Sequence, residues 1–231
     1  MARLSLVVAL TLVVSAPYAA LAQQHDDHAA MPPDQIGSAS VKFETSCAPG
    51  VRDGFNTAVA MYHSFWFPEA IKAFQAVIQQ DPSCAMAHWG IAMSQWGNPY
   101  GGIKNAEIVK LGAATMEKAR ATGSPTPRER ALINAVGILY SSPDTATHRD
   151  RVVRYEEAMK RISAEHPNDV EVRIFTALAV TQSALPTDKT YAKLLEGAAM
   201  LDPLSSRCPR TRGSRTTSSM PTTRRRSPSA R

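Results

Sequence analysis

His63, Trp66, His88, Trp89 and Trp96 are the side chains best suited to chemistry, and they fall within one short stretch. Two imidazoles can ligate a transition metal. Indole faces hold planar or cationic groups. If the helices carrying His63 and His88 pack together, a metal or cofactor site results, and with it a route to an enzyme. The ordinary alternative is a helical core in which Trp and His tips reach backbone groups. That alternative is the better reading, so no catalytic residue, metal ligand or cofactor is assigned. No Ser/His/Asp set fits a nucleophile elbow. Gly101-Gly102 precedes a helix but lacks the Lys and Ser/Thr of a phosphate loop. No C-x-x-C pair is present for haem attachment. Glu156-Glu157 and Asp169 with Glu171 read as exposed helix charges, and paired carboxylates need a cleft before they can do acid–base work. Met61, Met86, Met93 and Met116 read as gap-fillers. His25, Asp26, Asp27 and His28 could meet a metal, but in a polar segment they read as solvated residues.

The elements that position these groups begin after an export signal. Arg3, the apolar run Leu4–Val14 and Ala20-Leu21-Ala22 form a signal peptide over residues 1–22. The expected location is the periplasm or the extracellular space. Residues 23–46 read as a polar, Pro-containing linker. Export permits disulfides. Cys47 precedes the first helix and Cys84 opens the third, and in a helical hairpin those ends lie on the same side. A Cys47–Cys84 disulfide is expected, the alternative being two buried free thiols. Cys208 has no evident partner.

From 47 to 203 the pattern is helical throughout, with no sustained β alternation. Helices are expected over 51–63, 68–80, from Ser83, over 104–122, from Pro127 behind a Thr126 cap, over 147–165, 169–184 and 188–201. Asp202-Pro203 is expected to close the last. Ala70, Phe74 and Pro82 stand at i, i+4 and i+12, and Ala58 and Ala92 lie a repeat length of about 34 residues apart.

These positions resemble a tetratricopeptide repeat: a small residue in the first helix, Ala then Phe in the second, Pro at its end. The resemblance covers one and a half repeats. It implies an all-α solenoid of antiparallel helix pairs whose concave groove binds a protein or peptide partner. The groove positions it implies are Asn56, Tyr62, His88 and Gln95.

Residues 204–231 break this pattern. Of 26 Lys and Arg, eight Arg fall there with no acid, which leaves 18 basic against 20 acidic residues in 1–203. The net charge of +6 therefore comes from the tail, and the nearly neutral body does not advertise nucleic-acid binding. The tail reads as disordered. One reading makes it a basic arm for nucleic acid. Another is a shifted reading frame. With permissible codons, re-reading this region from the third base gives a helical string containing HYLIH, similar to the continuation of exported tetratricopeptide proteins. Sequencing codons 200–231 separates the two.

Overall fold

The computed structural model describes residues 36–205. The expected signal peptide, the His25–His28 cluster, Cys208 and the arginine tail lie outside the described residues. Among the described residues the chain is all helical, with eight α-helices, three short 3-10 turns and no strand. The helices are α1 Arg52–His63, α2 Phe67–Gln80, α3 Ala85–Trp96, α4 Ala106–Thr122, α5 Pro127–Leu139, α6 His148–Glu165, α7 Val170–Gln182 and α8 Ala192–Ser205. None is long and apolar enough to cross a membrane.

Local chemistry sets several of the starts. The side chains of Asn105, Thr126 and Asp169 accept from Ile108 N, Glu129 N and Val172 N, capping α4, α5 and α7. Helix α3 differs from expectation: it starts behind Cys84 with no side-chain cap. Ser83 instead donates its N–H and hydroxyl to Asp81 Oδ1, at 3.0 and 2.6 Å. Helix α8 runs through Pro203 rather than stopping there. Pro203 falls in the final turn, so it costs the helix only one backbone bond.

Each helix packs on its neighbours in sequence: α1 on α2, α2 on α3, α3 on α4, α5 on α6, α6 on α7 and α7 on α8. Ala58, Ala70 and Ala92 are fully buried, and Phe74 is almost so. Gly90 of α3 faces the Phe74 ring so closely that a Cβ there would overlap it. A glycine in mid-helix is what lets α2 and α3 approach.

The core is not confined to neighbouring helices. Phe175 of α7 meets Trp89 of α3 at 5.0 Å and Tyr62 of α1 at 5.4 Å between ring centroids. Phe43 joins them, 5.2 Å from Trp89 and 5.5 Å from Phe55. The end of the expected linker is therefore part of the core. Phe43 is buried, its N–H donates to Asn56 Oδ1 at 3.0 Å, and Arg128 lies over its ring. Ser46 donates from N–H and hydroxyl to the buried Glu129 carboxylate at 2.5 and 2.6 Å.

Cys47 and Cys84 form a disulfide that closes a separation of 37 residues. Asp81 ties the same corner, accepting from Ala48 N at 2.7 Å as well as from Ser83. The Ala48 bond, then the Ser83 hydroxyl, hold its carboxyl below the usual range, against the opposing effect of burial. A depressed native pKa means stability that is present above the ordinary value of 3.8 and is lost as pH falls through and below it. Asp81→Ala is expected to cost about 2 kcal/mol at pH 7. Urea unfolding at pH 7 and pH 3 checks both points: the variant's stability should fall less with acid than the parent's.

Candidate groove beneath two strained aromatics

Two cavities open side by side and share Pro99 as a wall. The larger holds about 590 Å³ and the smaller about 270 Å³. Helix α7 runs along both. Ile174 and Leu178 line the smaller cavity, Thr181 and Gln182 the larger. These are positions i, i+4, i+7 and i+8, one helix face. Helix α8 does the same with Leu201 and Leu194. The result is one groove walled by α7, α8 and the loop that follows α3.

Each cavity has an aromatic residue in an unfavourable backbone conformation. Among the described residues, Phe65 and Tyr191 are the non-glycine residues with positive φ, at 63° and 57°. Phe65 lines the smaller cavity and Tyr191 the larger, and both are about half exposed. The cause at Phe65 is local. Phe65 N donates to Tyr62 O and Trp66 N to Met61 O, the paired bonds of a helix stop that normally places glycine at the left-handed position. A bulky aromatic there costs about 1–2 kcal/mol; its ring meets Phe67 edge-on at 5.6 Å and stays half exposed.

His63 stands in the wall of the smaller cavity and pairs through Nε2 with Glu171 Oε2 at 3.0 Å. Glu171 is buried, as is Glu156, which pairs with Lys160 and Lys193. Both were expected on exposed faces. Their burial reflects the docking of α7 against α1 and of α8 against α6, which helix periodicity in a single segment cannot report. Burial pushes the Tyr62 phenol up, and Tyr100 adds to that shift, so the hydroxyl stays protonated.

Behind the larger cavity lies a stack. The His148 ring lies flat on Trp96, 5.5 Å between centroids and 4° from parallel. Arg151 and Lys104 flank the same indole at 5.9 and 5.8 Å. Burial, then Arg151 and Lys104, push the His148 imidazole down. Burial also lowers Arg151, partly offset by Asp144, and lowers Lys104.

The structure separates the residues that the sequence suggested as one cluster. His63 belongs to the smaller cavity. Trp89 is in the core, and Trp96 backs the larger cavity. His88 is partly buried, and burial followed by Lys118 lowers its pKa. Among the described residues the one group of three potential metal-ligating side chains is Cys47, Asp81 and Cys84. Its sulfurs are joined to each other, which removes them as ligands. Of the four implied groove positions, Tyr62 lines a cavity. Asn56 holds Phe43, and Gln95 Oε1 accepts from Thr115 at 2.9 Å. His148, Gln182 and Tyr191 carry no sequence signature, since each matters only through a partner distant in the chain. No family model matches the chain, and neither does any curated protein or solved structure.

Proposed function

We propose that this chain is an exported, non-catalytic helical-repeat scaffold. It holds an extended apolar segment of a protein or peptide partner in the groove along α7 and α8. The order of packing, helix on next helix, suits stacked antiparallel pairs of the tetratricopeptide kind, as do Ala58, Ala70, Phe74 and Ala92 at their repeat positions. In such an array the first helix of each pair would face the hollow. The rings of Phe175, Tyr62 and Trp89 pack on one another between α7, α1 and α3, which favours a receptive surface on the α7–α8 side instead. A disulfide accords with an exported chain.

The observation that carries this reading is the pair of strained, half-exposed aromatics, one at each cavity. Backbone strain persists where surrounding structure enforces it, and it collects at ligand clamps. Exposed aromatic rings are also the usual anchors of interfaces.

A Phe65→Asn/Tyr191→Asn variant tests it, because Asn tolerates the left-handed conformation. Stability should rise by about 1 kcal/mol or more as strain is relieved, read as a higher thermal midpoint. On an array of apolar peptides, the full chain should bind a subset, and the variant should lose at least tenfold in affinity. A variant that binds like its parent would contradict the proposal.

A further inference from the structure

Buried polar atoms without partners cluster around the larger cavity. Seven such side-chain atoms occur among the described residues, and five belong here: Trp96 Nε1, His148 Nδ1, Arg151 Nε and Nη2, and Gln182 Nε2. Buried polar groups ordinarily find partners, so a concentration of this kind calls for an explanation. The chemistry of the set supplies one. Four of the five atoms can only donate, and the fifth, His148 Nδ1, can donate as one tautomer. What is lacking is an acceptor.

The charge points the same way. Arg151 is 1 % exposed. Its one hydrogen-bond partner is the Leu139 carbonyl at the end of α5, through Nη1. No carboxylate among the described residues stands within ion-pair distance of it; Asp144 acts on it only at longer range. Lys104, 8 % exposed, likewise donates to a neutral group, Asn98 O, at 2.8 Å. A buried cation without a counter-ion is costly. His148 and Gln182 form part of the wall of a cavity of about 590 Å³, the size of a ligand site; their unmet donor atoms are covered by the wall, and Trp96, Arg151 and Lys104 pack behind His148. The carboxylate on that wall, Asp188, is already engaged by Thr190 N and Oγ1 at 2.8 and 2.6 Å. The rest of the wall includes Ile103, Leu185, Tyr191 and Leu194.

We infer that this cavity binds an organic carboxylate carried on an apolar body, its oxygens accepting from His148 and Gln182 in front of Arg151 and Lys104, and its body lying along the apolar wall. The inference rests on the groove reading for the place of the ligand and adds its charge. Two sources share this chemistry: the C-terminus of a peptide ending in an apolar residue, and a free amphipathic acid.

Calorimetric titration of the full chain with three probes tests it: dodecanoate, an apolar hexapeptide with a free C-terminus, and the same peptide amidated. At least one carboxylate probe should bind saturably, one per chain. Free peptide at least tenfold tighter than amidated identifies a peptide terminus; dodecanoate alone identifies a free acid. Arg151→Met should weaken that binding at least tenfold without lowering the thermal midpoint, because an apolar side chain replaces an uncompensated buried charge. Gln182→Leu provides a second reading should Arg151→Met fail to fold. Three results overturn the inference: no saturable binding of either carboxylate probe, equal affinity for free and amidated peptide with no binding of dodecanoate, or affinity unchanged in the variants. Equal affinity that is lost in Phe65→Asn/Tyr191→Asn leaves the groove standing and removes only the carboxylate site.

Discussion

Replacing Cys47 and Cys84 together by alanine is expected to lower the unfolding free energy by about 4 kcal/mol, the loop-entropy value for a closed loop of this length. The pair spans 37 residues, enough to enclose all of α1 and α2. Losing it frees the unfolded chain far more than it disturbs the native one. The same corner is held by Asp81 through Ala48 and Ser83, so the reduced protein should keep its fold while being easier to unfold. Urea unfolding with and without reductant measures the effect. The parent should fall to the variant's midpoint when reduced, and the variant should not respond. Equal midpoints for oxidised and reduced parent would show that the bond adds nothing.

The second large effect belongs to Phe175. It is 1 % exposed and touches rings from three separate parts of the chain, Phe43, Tyr62 and Trp89. Phe175→Ala should cost about 4 kcal/mol, since the surrounding rings cannot collapse into the space without moving a helix. The consequence extends beyond stability. Phe175 and the His63–Glu171 pair fix α7 against α1, and α7 supplies the long wall of the groove. The variant should therefore show faster amide exchange along α7 and weaker peptide binding, with α1 and α2 still protected behind their disulfide. Phe175→Leu should retain much of both properties. Uniform loss of protection over all helices would mean that Phe175 is a general core residue with no special role in holding that wall.

How far the fold could be read from the chain follows from the range of each interaction. The start of α5 was legible because its cause is local: Thr126 caps the helix that follows it within three residues, whereas Asp169, read as an exposed helix charge, caps α7 in the same way. The disulfide was legible because a hairpin brings both its ends to one side. Phe43 was not, because a lone aromatic in a polar stretch has no periodicity, and its contacts come from Phe55, Trp89 and Phe175. Glu171 looked like an exposed charge of a helix first turn, yet its partner His63 lies 108 positions earlier. The site suffered most from this. Repeat position suggested Tyr62 as a groove residue; the structure shows it lining the smaller cavity, which is a matter of position alone. The His148–Trp96 stack and the unmet donors of Arg151 and Gln182 arise only when α3, α6 and α7 are assembled. Phe65 stands in a glycine position, and that departure becomes visible only once the backbone geometry is known.

The most direct test of the groove is amide NMR mapping of the full chain during titration with the tightest-binding peptide from the array. Saturable shifts are expected at Ile174, Leu178, Thr181 and Gln182 along one face of α7, together with Phe65 and Tyr191. Saturable shifts confined to the outer faces of α2 or α4, with those six residues unmoved, would contradict the groove.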